Sequence, residues 1–335
     1  MKILVTGGTG YIGSHTCVEL INSGHEVVIV DNLYNSNIEV LDRIYEITNV
    51  KPKFYEIDIL DFNKLETVFN ENDFDACIHF AGYKAVGESV SIPLTYYENN
   101  VAGSINLYKL LQKYNVNNLV FSSSATVYGD DFEVPFKEEY GLGTTTNPYG
   151  STKKINEMII TDFCTANKNM SAVILRYFNP IGAHESGLIG EIPNGIPNNL
   201  VPYIAQTETG QREYLRVFGN DYDTIDGTGV RDYIHVVDLA RAHVLAIEFA
   251  AKNNGAEVIN VGTGKGYSVL EVLHAYEKAC GHDIPYKIME RRPGDIATCY
   301  ADTKKAKELL GFEAKFDIEK MCEDTYRFNN RLNSK

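Results

Sequence analysis

The fold is decided near the amino terminus, where residues 2–13 read KILVTGGTGYIG. Five residues typical of a buried strand run directly into glycines, and a helical pattern follows at about residues 11–23. Gly8, Gly10 and Gly13 satisfy the spacing G-x-G-x-x-G, which lets a backbone turn tightly and approach a pyrophosphate. The helix would then offer unpaired N–H groups and partial positive charge to that anion. The stretch therefore predicts a strand–turn–helix unit that binds a dinucleotide.

A second strand is predicted at residues 26–31, and it ends on Asp31, 18 residues after Gly13 (31 − 13 = 18). A carboxylate there accepts hydrogen bonds from the adenosine ribose and repels a 2′-phosphate, so NAD is predicted rather than NADP. The alternative is a plain strand–turn–helix junction without a ligand. The glycine spacing and the carboxylate together disfavour that alternative.

The first half of the chain alternates short apolar runs with longer helical patterns. We predict strands at 2–6, 26–31, 53–58, 75–81, 118–123 and 171–177, and helices at about 11–23, 62–70, 93–114 and 149–167. Such alternation predicts an α/β fold of the Rossmann type, with a doubly wound parallel sheet and helices on both faces. Ligands of such sheets bind beyond the carboxyl ends of the strands.

The pattern loosens after Tyr177, where prolines and glycines accumulate. We predict that residues 1–178 form the NAD-binding domain and that 231–262 return to it, because this stretch contains a regular helical pattern and a short strand. Residues 179–335 are expected to form a smaller mixed domain that binds the substrate. A chain of 335 residues is long for a single core, which also favours two domains.

Charge and cysteine usage narrow the class of function. The formal net charge of −14 argues against nucleic acid or an anionic membrane as the main partner. The six cysteines show no Cys-x-x-Cys or Cys/His metal spacing, which predicts free thiols, a reducing compartment and no metal. We see neither a signal peptide nor about 18 consecutive apolar residues, so the sequence predicts a soluble cytoplasmic protein.

Three polar side chains predict chemistry beside the dinucleotide. Ser124 follows the fifth strand at its carboxyl edge, and Tyr149 and Lys153 are four residues apart on one face of the next helix. A phenol with a pKa near 10 is a poor base at neutral pH. An ammonium about 4 Å away contributes roughly 4 kcal/mol at an effective dielectric of 20, or roughly three pKa units. Lys153 and an oxidised nicotinamide are therefore predicted to bring the pKa of Tyr149 near neutrality.

This arrangement predicts reversible hydride chemistry on a small hydroxylated substrate, with Tyr149 as the base and Ser124 donating to the reacting oxygen. The alternative is a core tyrosine beside a solvated lysine. With 22 tyrosines, roughly one Tyr-x-x-x-Lys is expected by chance, and Tyr300 with Lys304 forms a second one. No strand-end serine or glycine turn leads to that second pair, so we interpret it as the chance occurrence.

Longer strings of sequence resemble the extended branch of the short-chain dehydrogenase/reductase family, and within it the members that epimerise nucleotide sugars. They are the glycine turn, HFAG at 79–82 with Lys84, SSSATVYG at 122–129, YGSTK at 149–153, RYFNP at 176–180, IPNNL at 196–200, GVRDYIH at 229–235 and RPGD at 292–295. The resemblance implies an isomerase with tightly bound NAD that interconverts UDP-galactose and UDP-glucose at C4 through a transient 4-keto sugar.

The resemblance also implies which residues contact the two ligands. NAD is expected to contact Gly7, Gly10, Tyr11, Ile12, Gly13, Asp31, Asn32, Asn35, Ser36, Asp58, Ile59, Phe80, Ala81, Gly82, Lys84, Asn99, Ser122, Tyr149, Lys153 and Tyr177. The UDP-sugar is expected to contact Lys84, Ser124, Tyr149, Phe178, Asn179, Asn199, Leu200, Phe218, Arg231, Tyr233, Arg292, Asp295 and Cys299. Arginine forks match phosphate oxygens, which independently suits Arg231 and Arg292 to a diphosphate. A homodimer through the helices at 93–114 and 149–167 is implied as well.

Other activities remain open at this point. Nucleotide-sugar 4,6-dehydratases of this family resemble one another in having Asp-Glu directly after the strand-five serine or threonine. This chain has Ala125 and Thr126 there, and these residues cannot supply an acid and a base. A uronic acid sugar decarboxylase is a further alternative. A catalytically silent NAD-binding regulator is disfavoured by the intact serine, tyrosine and lysine.

One position bears on the choice of sugar. Cys299 stands where some bacterial relatives have a tyrosine, and a smaller side chain would leave room for an N-acetyl group. We therefore predict activity on UDP-N-acetylgalactosamine and UDP-N-acetylglucosamine as well. The alternative is that Cys299 is only a buried small hydrophobic residue.

His79 and His235 are expected to be structural.

Overall fold

The computed structural model describes residues 1–193, 195, 197, 199–292 and 295–333. The strands and helices follow in the order β1 (Lys2–Thr6), α1 (Tyr11–Asn22), β2 (Glu26–Asp31), α2 (Val40–Thr48), β3 (Lys53–Glu56), α3 (Phe62–Asn70), β4 (Ala76–His79), α4 (Val86–Ser91), α5 (Pro93–Tyr97), α6 (Gly103–Lys113), β5 (Asn118–Ser124), α7 (Pro148–Ala166), β6 (Ser171–Tyr177), β7 (Asn179–Ile181), α8 (Leu200–Glu208), β8 (Leu215–Phe218), β9 (Val230–His235), α9 (Val236–Ala250), β10 (Gly255–Val261), β11 (Gly266–Ser268), α10 (Val269–Cys280), β12 (Tyr286–Met289), β13 (Thr298–Cys299) and α11 (Ile318–Asn333).

The large sheet has seven strands in the order β10-β6-β5-β4-β1-β2-β3, and every neighbouring pair is parallel. The strand order changes direction at β1, and ligands of open α/β sheets bind beyond the carboxyl end at such a point. The predicted Rossmann-type fold is therefore confirmed. β4 ends at His79, two residues earlier than predicted, because the N–H groups of Phe80 and Ala81 both donate to the Thr6 carbonyl of β1.

The core lies on both faces of this sheet. Ile3 and Val5 of β1 belong to the cluster under α1, α2 and α9, whereas Leu4 belongs to the cluster under α3, α6 and α7. Successive strand residues point to opposite faces, so a strand covered on both sides reads as a continuous apolar run. Burying each of these side chains contributes about 1.5–3 kcal/mol, which fixes the sheet and hence its carboxyl edge.

The prediction of one continuous helix over residues 93–114 is wrong. This segment consists of α5, a π-helical turn at Glu98–Ala102, and α6. The wider turn carries Asn100 inward, where its side chain accepts from the Tyr83 N–H and donates to the Tyr83 carbonyl and to the Thr152 hydroxyl. π-Turns of this kind occur often at functional sites, and no periodicity of apolar residues would show one.

The carboxyl-terminal part contains β7, β9, β11 and β13 in one small sheet and β8 with β12 in another, covered by α8, α10 and α11. Within residues 231–262, α9 packs on α1 and β10 pairs with β6 of the large sheet, but β9 pairs within the small sheet. β9 differs from our expectation because the buried Asp232 carboxylate accepts from the backbone of Thr263, Gly264 and Ala301 and holds β9 beside those segments.

Two polar contacts join the large sheet to the segment between β7 and α8. The Tyr11 hydroxyl, at the start of α1, donates to the Gly182 carbonyl at 2.7 Å. Lys84, just after β4, donates to Glu191 at 2.9 Å. Across the residues that the structure describes, no helix combines the length and the apolar character needed to cross a bilayer.

Candidate active site

The turn between β1 and α1 can be built only from glycine at two positions. Gly7 has φ +73°, and a Cβ there would lie 2.7 Å from the Ala81 nitrogen. A Cβ on Gly13 would lie 2.2 Å from the Gly7 carbonyl oxygen. α1 begins after Gly10, which caps it with no side chain, and its first turn carries no acidic residue. The unpaired N–H groups are thus open to an anion, which is what a dinucleotide pyrophosphate requires.

Asp31 ends β2 beside this turn and is buried. Its carboxylate accepts from the Thr9 N–H at 3.1 Å, the Leu33 N–H at 2.9 Å and the Ser36 hydroxyl at 3.2 Å. Ser36 and Thr9 also share a hydrogen bond at 2.8 Å. Thr9 was not among the predicted contacts, although its place between two of the glycines put it within reach of this carboxylate.

The remaining residues predicted to contact NAD follow the carboxyl ends of β2, β3 and β4. Asn32 donates to Asp58 at 2.9 Å, which joins the ends of β2 and β3. Asn35 is exposed in the turn after β2, whereas Ile59 is buried. Asn99 is buried in the π-helical turn and donates to Asn100. The rest follow β4 or lie near it, and they are Phe80, Ala81, Gly82 and Lys84.

The structure brings Ser124, Tyr149 and Lys153 together at the carboxyl edge of the large sheet. β5 ends on Ser124, and α7 begins at Pro148 after Asn147, whose side chain caps the helix by accepting from the Gly150 N–H. The Ser124 side chain lies close enough to Tyr149 to lower the pKa of the phenol. The Lys153 ammonium donates to the Ser122 carbonyl at 2.6 Å and lies 5.9 Å from the centre of the Tyr149 ring.

Lys153 does not lower the Tyr149 pKa in the chain by itself, and the part of the prediction that depends on the nicotinamide stays a prediction. Burial raises the pKa of Tyr149 to about 12, and the Ser124 side chain offsets only part of this. Burial lowers the pKa of Lys153 to about 8, while Glu157 acts in the opposite direction. The reason is geometric, since the ammonium points to a main-chain carbonyl rather than to the phenol oxygen, and desolvation disfavours both charged forms.

A buried ion pair below Lys153 was not predicted from the sequence. Glu157 lies one turn further along α7 and makes a two-point ion pair with Arg176 of β6, with a shortest N···O distance of 2.7 Å. Ser123 donates to the same carboxylate. Glu157 is four residues after Lys153, so helical spacing would have placed it on the same face.

His243 of α9 was also missed. Its Nδ1 donates to the Leu239 carbonyl at 2.8 Å, which leaves Nε2 to accept from the Tyr177 hydroxyl at 2.5 Å. Its ring lies 4.7 Å from that of Phe80, centre to centre. Burial lowers the pKa of His243 to about 4, so the ring is neutral and orients two residues predicted to contact NAD. The sequence carries no local signal for this contact.

His79 is held in a similar way, between the Thr6 and Ser104 hydroxyls, and burial lowers its pKa to about 3. His235 lies between the Val237 N–H and Asp324 and is buried. Both imidazoles have hydrogen-bond partners in the core, where they connect elements of the fold.

Four residues predicted to contact the sugar nucleotide gather beside the small sheet. Asp295 accepts from Arg231 at 2.6 Å and from Arg292 at 3.1 Å, and the Arg292 guanidinium lies 4.9 Å from the centre of the Phe218 ring. Two arginines sharing one carboxylate keep donors available for a second, multivalent anion. Pro293 and Gly294 of this string lie outside the described residues, as do Ile196 and Asn198 of the string at 196–200.

The other predicted substrate contacts are divided between surface and core. Phe178 and Cys299 belong to one apolar cluster, whereas Asn179 and Asn199 are exposed. Leu200 is the first residue of α8. Tyr233 is only 3% exposed and lies in the core of the carboxyl-terminal part, so the structure places its side chain away from the surface.

The second Tyr-x-x-x-Lys lacks this setting. The Lys304 side chain is 83% exposed and pairs with Asp302, and the Tyr300 carbonyl accepts from the Phe136 backbone. Among the described residues no group of three or more His, Cys, Asp or Glu is arranged to hold a metal ion.

A doubly wound parallel sheet with a glycine-lined helix N-terminus at its switch point is the architecture of Rossmann-type dinucleotide-binding enzymes. The family described as "NAD dependent epimerase/dehydratase family" matches residues 3–262. The chain belongs to this family.

Individual relatives cover nearly all of the chain. The UDP-glucose 4-epimerase of Bacillus subtilis is 58% identical over 330 residues, 98% of this chain and 97% of the relative. The structure is similar to that of UDP-glucose-4-epimerase from Stenotrophomonas maltophila with bound NAD and formylated UDP-arabinopyranose, at TM-score 0.97 and 48% identity, covering 100% of this chain and 99% of that one. It is also similar to UDP-glucose 4-epimerase from Bifidobacterium longum in complex with NAD+ and UDP, at TM-score 0.96 and 52% identity, covering 99% of each.

Proposed function

We propose that this chain is an isomerase that interconverts UDP-galactose and UDP-glucose at C4 of the sugar, through a transient 4-keto sugar and with tightly bound NAD. The observation that carries the proposal is that Ser124, Tyr149 and the buried Lys153 meet at the carboxyl edge of a Rossmann sheet, in a chain 58% identical to a UDP-glucose 4-epimerase. A dehydratase is not favoured, because Thr126 donates from both its N–H and its hydroxyl to Ser124 and provides no acidic group.

The residues of the glycine turn fit NAD. Gly7 and Gly13 leave no room for a Cβ, α1 begins with no side-chain cap, and the Asp31 carboxylate stands at the end of β2 where an adenosine ribose would lie. Tyr177 and Phe80, oriented by His243, and Lys153 would border the nicotinamide end. When bound, NAD supplies the hydride acceptor and donor that the chain itself lacks.

The chain's own residues move the proton and hold the sugar oxygen. Tyr149 Oη accepts the proton of the sugar 4-hydroxyl and returns it after the sugar has presented its other face. Because burial alone raises the pKa of this phenol to about 12, its ionised form depends on positive charge brought by the bound cofactor together with Lys153. Ser124 lies beside Tyr149 and would donate to the same sugar oxygen.

The proposal assigns the two ends of the substrate to two parts of the chain. Residues 1–178, with α9 and β10, would bind NAD, and the other residues of 179–335, β9 included, would bind the nucleotide sugar. Arg231 and Arg292 would exchange part of their contact with Asp295 for the diphosphate, since arginine forks pair with phosphate oxygens. Anchoring the UDP moiety there leaves the sugar free to turn over beside Tyr149.

We also propose that the chain epimerises the N-acetylated pair, UDP-N-acetylgalactosamine and UDP-N-acetylglucosamine. Cys299 is partly exposed, pairs in register with Arg231 and packs in the cluster that contains Phe178, so its size affects the space beside the sugar. Burial raises the pKa of its thiol to about 12, which leaves it a small neutral side chain. Cys299→Tyr should remove turnover of the acetylated sugars and spare UDP-galactose; unchanged turnover of both would contradict this assignment.

A homodimer is part of the proposal. Val90, Ile92 and Leu94 of the α4–α5 region and Met158 of α7 are exposed, and α4 and α5 both pack on α7. Apolar side chains clustered on neighbouring helices are typical of an interface. We further propose a reducing, cytoplasmic location, which the six free thiols support.

The decisive experiment incubates the purified protein with UDP-galactose and no added NAD, and follows UDP-glucose formation by chromatography. We expect equilibrium between the two sugars, and NAD in the supernatant after denaturation. Release of a 4-keto-6-deoxy sugar would favour a dehydratase. Absence of turnover with a full complement of NAD would favour a non-catalytic binding protein.

A further inference from the structure

Glu191, in the segment between β7 and α8, lies among three residues predicted to contact the ligands but was not itself predicted. Its carboxylate accepts from Lys84 at 2.9 Å and from the Asn199 amide at 3.0 Å, and its side chain is only 12% exposed. Tyr11 is the third neighbour, and its pKa is raised mainly by burial and further by the Glu191 charge. Lys84 follows β4 of the large sheet and Asn199 precedes α8 of the carboxyl-terminal part. The Glu191 carboxylate therefore joins the large sheet to the carboxyl-terminal part.

Asn199 also stands at the start of α8. Asparagine is among the residues that most often cap a helix N-terminus with their side chain. Here Asn199 is the N-cap of α8, yet its side chain makes no capping bond; its amide nitrogen donates to Glu191, and Pro202 at the third helical position has no N–H to offer. The N–H groups of Leu200 and Val201 are without that cap, and they lie next to a side chain predicted to contact the sugar nucleotide.

We propose that Glu191 is a positioning residue for the diphosphate of the sugar nucleotide. It holds Lys84 and Asn199 in the orientation in which the diphosphate meets them. Binding then needs little further ordering of the site, which is how preorganisation raises affinity. This inference rests on the proposed function, because it assumes a UDP-sugar as the ligand.

The carboxylate's own charge opposes an anionic ligand, so the sign of its effect is the test. If orientation dominates, removing Glu191 weakens binding. If charge repulsion dominates, removing it strengthens binding, since Lys84 is released from its ion pair and a negative charge is lost. We infer that orientation dominates, because both donors to Glu191 belong to residues predicted to contact the ligands.

The experiment measures UDP binding by calorimetry and UDP-galactose kinetics on the NAD-containing protein. For Glu191→Ala we expect the dissociation constant of UDP and the KM to rise about tenfold, the size expected for lost hydrogen bonds to a charged group. We expect kcat and NAD content to stay the same, because a pure KM effect marks binding common to ground and transition states. Glu191→Gln keeps the acceptor oxygen and should restore most of the affinity.

A double-mutant cycle separates orientation from a general loss of structure. Glu191→Ala should cost much less affinity when Asn199→Ala is already present, because the first change then has one partner fewer to disorder. Glu185→Ala, at an exposed glutamate of the same segment, is the matched control and should leave UDP binding unchanged.

Tighter or unchanged UDP binding by Glu191→Ala would overturn the inference, as would additive losses in the cycle. These outcomes differ from failure of the proposed function, in which the wild-type protein itself would not bind UDP or would not epimerise the sugar.

Discussion

At the scale of single residues, the groups proposed to react are polar side chains, one buried and one partly buried, whose charge states depend on what surrounds them. Tyr149 and Lys153 both pay a desolvation cost, with pKa values of about 12 and about 8. The phenol is therefore protonated in the chain alone. A base that becomes available only when a cation is bound beside it keeps the proton in place until the cofactor is present.

Replacing Tyr149 by Phe tests its role as the proton acceptor. The ring is kept and only the hydroxyl is lost, so NAD content should be unchanged. Turnover of UDP-galactose should fall by about 10²–10⁴-fold, the usual contribution of a general base. Near-normal kcat in this variant would rule out Tyr149 as the base.

The lowered pKa of Lys153 predicts how stability depends on pH. The unfolded chain keeps the ordinary pKa of 10.5, so between pH 8 and 10.5 it binds a proton that the folded chain has released. The free energy of unfolding therefore rises with pH in this window, and from pH 7 to 9.5 the group contributes about 2 kcal/mol.

This contribution is obtained from urea unfolding of wild type and Lys153→Met, both freed of dinucleotide, at pH 7 and 9.5. From pH 7 to pH 9.5, the free energy of unfolding of the wild type should rise by about 2 kcal/mol more than that of the variant. The variant should also lack turnover. A constant difference between the two proteins would mean that Lys153 is not held at a lowered pKa.

At the scale of elements, the ends of helices and strands position the site. α7 starts at Pro148, directly after the capping residue Asn147, and this start fixes the direction in which Tyr149 and Lys153 point from the helix. β5 ends at Ser124, next to these two residues. The π-helical turn at Glu98–Ala102 brings Asn99 and its neighbour inward beneath the same edge.

The close approach at the glycine turn can be tested by adding one methyl group. Gly13→Ala puts a Cβ 2.2 Å from the Gly7 carbonyl, so we expect loss of bound NAD and a destabilisation of about 1–3 kcal/mol. Thermal unfolding and extraction of the dinucleotide measure both. Gly87→Ala is the control, because nothing lies within 4 Å of its Cβ position in α4, and NAD content should not change.

At the scale of the whole molecule, the exposed apolar residues of α4, α5 and α7 have the clearest consequence. Leu94 is 82% exposed, and in the proposed dimer it would be covered. Leu94→Lys should shift the sedimenting species from dimer to monomer, because an uncompensated charge would be buried in the interface. Ile225→Lys, at a side chain that is also 82% exposed, should not. A wild-type protein that sediments as a monomer at all concentrations would contradict the dimer.

Much of this molecule follows from local sequence. The glycine spacing, Asp31 at the end of a strand and the four-residue step from Tyr149 to Lys153 are short-range features, because strand and helix geometry fixes where neighbouring side chains point. For that reason the parallel sheet and the place of Ser124 on its carboxyl edge were predictable. The resemblance of longer strings then supplied residues such as Arg292 that no local rule would have selected.

Only the tertiary structure decides which distant segments come into contact and which charge states burial imposes. The Glu191 bridge spans 107 residues to Lys84, and Tyr177 meets His243 66 residues away, with no spacing rule to connect them. The sign of the Tyr149 pKa shift belongs to the same category. Desolvation depends on everything packed around the phenol, and that is settled only when the chain has folded.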